Sequence, residues 1–322
     1  MRILLSGATG FLGGHLLRRL HQDGHSVIAL GRNKTRLAEL AGLADACLLH
    51  DLADGIPDGV PSVDAVIHAA ALSSPWGSRA AFQRANVTGT ETMIALARQC
   101  SARRFVLISS PSVYFKFADQ HALAEASPLP PPVNAYAATK RQAEKLVEAA
   151  TDLDPVILRP RGLYGRGDTS LLPRLLKAAR NGPLPLMRDG KAATDLTHVE
   201  DVVSAVLAAL DAPSSLPQRV FNISGGQALK IRDVAEAAAL RSGISPRWRR
   251  LPVTPVLAAA RLAEWSCRLA PGQPEPPVTA YGVGLFAYHQ TLDLTAARTW
   301  LGWNPQIDFE TGLALTFSQE AA

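Results

Sequence analysis

Tyr136 and Lys140 stand four residues apart in AYAATKRQAEKLV, on one face of any helix the segment forms. A phenol near its reference pKa of about 10 exchanges protons poorly at neutral pH. A lysine ammonium one turn away lowers that value electrostatically and keeps donors to spare for a cofactor ribose. Upstream, the pair Ser109-Ser110 offers a hydroxyl, best supplied by Ser110, to hold a substrate oxygen beside the phenol. The three groups suit hydride transfer at a carbinol or carbonyl carbon, with Tyr136 giving the proton in reduction and taking it in oxidation. No metal is needed for this chemistry, and no histidine or cysteine spacing suggests one.

The elements that must position these groups follow a strand–helix rhythm over the first 160 residues. Short apolar runs at 3–5, 27–30, 46–49, 65–67, 105–108 and 156–158 alternate with helical stretches near 12–21, 36–40, 79–100 and 136–150. Nearly continuous apolar strands between helices predict a parallel sheet covered on both faces, with ligands beyond the carboxyl ends of its strands. Ser110 follows one such end. After Arg159-Pro160 the rhythm changes: helices are expected at 170–179, 199–210, 231–240 and 252–269, and a late strand of the main sheet at 220–223. PGQPEPP at 271–277 reads as an exposed turn or rigid connector. The expected fold is α/β: a Rossmann-type doubly wound parallel sheet with a smaller, mostly helical C-terminal substrate lobe. The dinucleotide-binding domain would comprise residues 1–160 and about 195–223, and the lobe 161–194 and about 224–322.

LLSGATGFLGGHLL places Gly7, Gly10 and Gly13 between the first strand and the first helix, with Thr9, Phe11 and Leu12 among them. Glycine backbone turns tightly and lets a pyrophosphate approach, while the helix N-terminus offers unpaired N–H groups and a positive field. The spacing is GxxGxxG rather than GxGxxG, so position at the start of a βαβ series carries the argument. At the end of the second strand, where an acidic residue commonly meets the adenosine ribose of NAD, this chain has LGRNKTR. Arg32 there suits a 2′-phosphate, which favours NADP(H), with NAD as the alternative. Asp51-Leu52 follows the third strand, where Asp51 either accepts from the adenine amino group or forms a surface turn.

Composition narrows the remaining classes. The chain has 322 residues, 47% of them hydrophobic, enough for a substantial core. Its formal charge of +5 is not gathered into a dense basic run, and with no recognition module present nucleic acid is not an expected partner. Three distant cysteines give neither a disulfide framework nor a thiolate cluster, which fits a reducing, cytoplasmic setting. The apolar start runs straight into the glycine loop and reads as a strand rather than a signal peptide, and no segment is apolar for long enough to predict a membrane span.

GATGFLG, HAAA at 68–71, NVTGT at 86–90, SSPSVY at 109–114, YAATK at 136–140, RPRGLYGRGD at 159–168, LTHVEDV at 196–202 and LGWNP at 301–305 occur in an order that resembles the extended short-chain dehydrogenases/reductases. That superfamily includes nucleotide-sugar epimerases, dehydratases and 3β-hydroxysteroid dehydrogenases. The resemblance implies that Ser110, Tyr136 and Lys140 are the catalytic trio. It also implies that Gly7, Gly10 and Gly13 hold the pyrophosphate, that Ala69 and Ala70 line the adenosine side, and that Pro160 and Leu163 approach the nicotinamide. Asn86 would support the site or tie loop backbone. His198, with Asp201, is expected to cap and pack a helix rather than to catalyse, and His68 to be structural. A homodimer through helices adjoining the tyrosine is a further expectation.

HAAALSSPWGSRAAFQRANVTGT, RPRGLYGRGDTSLLPRLL and PPVTAYGVGLF are similar to the steroid-dehydrogenase-like branch and to reductases of long-chain β-keto acids. Ser74 and Trp76, after the fourth strand, together with Tyr164, Arg188 and Ser110, are the expected substrate contacts. Trp76 and Tyr164 would form an apolar wall under a lid drawn from 252–286, suiting a largely apolar ketone or secondary alcohol. Arg161, Arg166 and Arg188 keep a nucleotide-sugar epimerase with tightly held NAD as the alternative, since arginines clamp diphosphates. A sugar dehydratase would need an acid–base pair that Ser110-Pro111 does not offer. A non-catalytic NADP(H) sensor is the remaining class, and the complete trio argues against it.

Overall fold

The computed structural model describes residues 1–318. Seven parallel strands form its main sheet: β1 (Arg2–Ser6), β2 (Ser26–Gly31), β3 (Ala46–Leu49), β4 (Ala65–His68), β5 (Arg104–Ile108), β6 (Pro155–Pro160) and β7 (Val220–Ile223). Their order is β7-β6-β5-β4-β1-β2-β3. From β1 the chain winds outward through β2 and β3, then crosses back to β4 and continues the other way, so the direction of winding reverses between β1 and β4. That reversal opens a crevice at the carboxyl ends of these two strands.

Buried apolar side chains on both faces explain the near-continuous strand sequences: Ile3, Leu4 and Leu5 are fully enclosed. One face packs under α1 (Phe11–Gln22) and a helix at Val199–Asp211 through Leu16, Leu17, Leu20, Val202, Val203 and Val206. The other lies under Gly89–Gln99 and Ala135–Ala149, through Met93, Leu96, Ala97, Ala143 and Val147. In chain order the α-helices of six or more residues after α1 are α2 (Lys34–Leu40), α3 (Gly89–Gln99), α4 (Ala135–Ala149), α5 (Leu172–Asn181), α6 (Val199–Asp211), α7 (Ile231–Arg241), α8 (Val253–Leu269), α9 (Ala280–Ala287), α10 (Thr295–Trp300) and α11 (Phe309–Phe317). No helix among the described residues is long and apolar enough to cross a membrane.

Two features differ from the sequence expectation. The helix expected over 79–100 contains a π-helical segment at Gln83–Thr88 between Arg79–Phe82 and α3. Widened turns of this kind often lie at functional sites, and this one carries Asn86. A second sheet, of four strands in the order Leu229–Lys230, Ala193–Thr194, Gln290–Leu292, Gln120–Leu123, joins a strand from the first 160 residues to three from the later part of the chain. Strands of two to four residues leave no periodicity to read. His198 is the N-cap of α6, its Nδ1 accepting from the Glu200 N–H at 3.4 Å, and Asp201 accepts from the Gln306 and Ile307 amides. His68 is enclosed between the Ser6 and Thr90 hydroxyls, 2.7 and 3.1 Å from its ring nitrogens. Burial, with the nearby Lys140 charge, pushes its pKa down to about 3.

Candidate active site

The loop after β1 has no room for side chains. Gly7 adopts φ +72°, and a Cβ there would lie 2.6 Å from the Ala70 nitrogen and 2.8 Å from the Ala69 carbonyl carbon; one on Gly13 would lie 2.0 Å from the Gly7 oxygen. The loop therefore presses on Ala69-Ala70 after β4 while α1 presses on the loop. Gly10 caps α1 without a side chain. The first-turn amides of Phe11, Leu12 and Gly13 have no intrahelical acceptor and carry the positive end of the helix dipole, a cradle that fits a pyrophosphate. Thr9 packs over Gly31, whose Cβ would meet its methyl at 2.8 Å, and Arg32 follows.

Arg32 Nη1 donates to Asp51 Oδ2 at 3.2 Å with most of its side chain in solvent. The other Asp51 oxygen accepts from the Ala53 amide at 3.0 Å, which makes Asp51 the N-cap of a short 3-10 turn. Leu52 is buried in the core beneath that turn. Arg84, in the π-helical segment, reaches the same corner, 3.9 Å from Asp51 and 2.5 Å from Asp54. Nothing in the sequence links Arg84 to a residue some thirty positions earlier; the fold does.

Asn134 caps α4 by accepting from the Ala137 amide at 2.8 Å, so Tyr136 and Lys140 occupy its first two turns beside the end of β5. Adjacent strand-end residues point to opposite sides. The Ser109 hydroxyl donates to Glu144 Oε1 at 2.5 Å, inside the core, whereas the Ser110 hydroxyl accepts from the Ser112 amide at 3.2 Å and lies, with Ser73, close enough to the Tyr136 phenol to lower its pKa. Phe82 packs near the phenol ring, centroids 6.3 Å apart. Asn86 fixes the surrounding loop: Oδ1 accepts from the Leu72 amide at 2.7 Å, and Nδ2 donates to Thr139 Oγ1 at 3.0 Å.

The electrostatics differ from the expectation that Lys140 lowers the phenol pKa. Burial raises Tyr136 above its ordinary value, and the groups opposing that rise are Ser110 and Ser73. The phenol is therefore protonated at neutral pH. Lys140 is 4% exposed and donates one N–H to the Ile108 carbonyl at 2.7 Å, leaving two donors. Burial lowers it to about 8, against a raising effect from Glu144. Glu144 itself accepts Arg159 Nε at 2.8 Å and Nη2 at 2.7 Å; Arg159 also donates to the Tyr114 hydroxyl, which donates to Asn222 at 3.0 Å.

Pro160 is buried at the end of β6, and Leu163 lies just beyond, across the left-handed Gly162. Of the expected substrate contacts, Tyr164 is misplaced: it is 1% exposed, packed between His198 and Phe309 in the core of the lobe, and shows no face to a ligand. Arg188 is held by Asp119 through paired bonds of 2.6 and 2.7 Å. Ser74 closes a local turn with the Trp76 backbone. Trp76 donates to the Gln273 carbonyl at 2.9 Å under the Arg268 guanidinium. Tyr281 on α9, not singled out in the sequence, packs edge-on to Phe115 and lies near Arg161, its pKa raised to about 12 by burial against the lowering effect of that guanidinium.

Residues 3–224 match the model of the NAD dependent epimerase/dehydratase family. The chain belongs to this family. It is 32% identical to 2-alkyl-3-oxoalkanoate reductase of Stenotrophomonas maltophilia (strain K279a), with 100% of each chain covered. It is also 32% identical to 4-hydroxy-2-methyl-3-oxo-4-farnesyl-3,4-dihydroquinoline-1-oxide ketoreductase of Stigmatella aurantiaca, over 97% of this chain and 95% of that one. Among solved structures, MoeE5 in complex with UDP-glucose and NAD superposes with a TM-score of 0.74 at 26% identity, covering 98% of this chain and 97% of that one. The protein is an NAD(P)-binding enzyme of the extended short-chain dehydrogenase/reductase type.

Proposed function

We propose that the protein is an NADP(H)-dependent oxidoreductase that interconverts a ketone and a secondary alcohol on a largely apolar substrate of the β-keto acid, steroid-like or aryl ketone class. The observation that carries this reading is the placement of Tyr136 and Lys140 in the first two turns of α4 beside the end of β5, with the Ser110 and Ser73 hydroxyls next to the phenol. When bound, the dinucleotide supplies or takes up the hydride. In reduction Tyr136 gives its proton to the substrate oxygen while Ser110 and Ser73 keep the oxygen and phenol aligned; in oxidation it takes the proton back. The two free donors of Lys140 suit a ribose. Arg32 supplies the charge for a 2′-phosphate, and Arg84 lies at the same corner. The printed activities of the two reductase relatives, each aligned along nearly its whole length, support a keto substrate.

A second reading, a nucleotide-sugar 4-epimerase with tightly held NAD, draws on the same trio. The solved structures favour it over the first: MoeE5 holds UDP-glucose and NAD. A substrate panel separates the two. Under the first reading, aliphatic or aryl ketones consume NADPH in stoichiometric amounts. Arg32→Ala then weakens NADPH about 10- to 100-fold, the loss of one hydrogen bond to a charged group, and leaves NADH unchanged. Interconversion of UDP-sugars without added cofactor, and no ketone turnover, would establish the second.

A further inference from the structure

α8 is apolar around most of its circumference, yet only one side is packed. Val253, Val256, Leu257 and Ala260 face Met187, Ala280, Val283 and Ala287. On the opposite side, where a surface helix normally carries polar residues, stand Leu262, Trp265 and Leu269, 63%, 61% and 67% exposed, in line with Ala258. At 100° per residue these four share one face, and Arg261 and Arg268 flank it on one side. The segment that carries this face is strongly basic. Residues 247–269 contain five arginines and one glutamate, so four of the chain's formal +5 reside there. The glutamate, Glu264, is turned inward to accept the Ala280 amide at 2.8 Å. Arg249 and Arg250 immediately precede the helix and are exposed; the nearest carboxylate to Arg250 is the equally exposed Asp189 at 3.9 Å.

We infer that the outer face of α8 docks on an anionic lipid bilayer, lying in the interface with Leu262, Trp265 and Leu269 inserted and the exposed Arg249 and Arg250 on the headgroups. A helix with leucine and tryptophan on one face and arginines at its rim suits that plane, and its 17 residues with Arg261, Glu264 and Arg268 suit surface binding rather than spanning. A second copy of the chain fits worse, because it would set one arginine-rich rim against another. The docked helix adjoins the site: its Arg268 covers Trp76, three residues beyond the Ser73 that lies beside the Tyr136 phenol. Docking itself does not depend on which substrate the site takes.

The test is flotation of the full chain with vesicles of phosphatidylcholine alone and of phosphatidylcholine mixed with phosphatidylglycerol. The protein is expected to float with the mixed vesicles and not with phosphatidylcholine alone. The triple change Leu262→Gln, Trp265→Gln and Leu269→Gln should abolish flotation. Arg249→Gln with Arg250→Gln should weaken it about five-fold per arginine, an effect reproduced by high salt. The arginine pair tests the idea even if the triple variant folds poorly. Absence of flotation with the mixed vesicles, or flotation indifferent to both sets of changes, overturns the inference. So does light scattering that shows a dimer in the wild type and a monomer in the triple variant, since a second copy would then cover the face.

Discussion

Glu144→Gln tests whether the buried charges behind the site act as one unit. Arg159 and Glu144 are 4% and 3% exposed and joined by two bonds of 2.7–2.8 Å, with Ser109 donating to the same carboxylate. An amide keeps the shape but not the charge. Its NH2 would face a donor, and the guanidinium would be left buried without a counter-charge. Removing one partner of such a pair costs about 3–5 kcal/mol. That cost corresponds to a fall in melting temperature on the order of 10 °C for a chain of this size. Glu144 also holds the Lys140 pKa up, so the alkaline limb of activity, expected near pH 8 as the ammonium loses its proton, should move to lower pH. Urea unfolding and a pH–rate profile measure the two effects, with the exposed Glu91→Gln on α3 as the control. A variant within about 0.5 kcal/mol of wild type, the range of ordinary surface changes, with an unmoved alkaline limb, would refute the reasoning.

Gly13→Ala should abolish dinucleotide binding, because its Cβ would sit 2.0 Å from the Gly7 oxygen and displace the loop from α1; fluorescence titration with NADPH checks it, and binding within about three-fold of wild type (well under 1 kcal/mol) contradicts the cradle. His68 gives the protein an acid-sensitive core. Its folded pKa, depressed to about 3 from 6.5, means the neutral ring is favoured in the fold: the stability it contributes is full above pH 6.5 and is lost as pH falls towards 3, by about 1.4 kcal/mol per unit. Urea midpoints at pH 7 and pH 5 should therefore diverge more in wild type than in His68→Gln, and equal divergence would show that the ring is not the titrating group.

The sheet was legible because each strand is an apolar run bounded by loop residues, and burial on both faces leaves few polar interruptions to confuse it. The spacing of Ser110, Tyr136 and Lys140 was legible for the same reason: a strand end and a helix face are local geometries. Choosing Ser110 over Ser109 rested on the family resemblance, through the spacing to Val113-Tyr114; in the structure the Ser109 hydroxyl turns into the core to Glu144 and that of Ser110 accepts from the Ser112 amide. What escaped was tertiary. Tyr164 has the composition of a pocket wall but is enclosed by α11 and His198. The Glu144–Arg159 pair and the approach of Arg84 and Tyr281 join distant segments whose spacing carries no local signal. The π-helical turn carries Asn86, anchored to Leu72 and Thr139, and helical periodicity encodes neither the turn nor the anchoring.

The account turns on the phenol of Tyr136 as the group that moves the proton. Single-turnover reduction of a ketone identified in the substrate panel, followed by NADPH absorbance in wild type and Tyr136→Phe, tests that directly. The expected result is a fall of about 10²- to 10⁴-fold in the chemical step with NADPH affinity preserved. Reduction at an undiminished rate by the phenylalanine variant would contradict it.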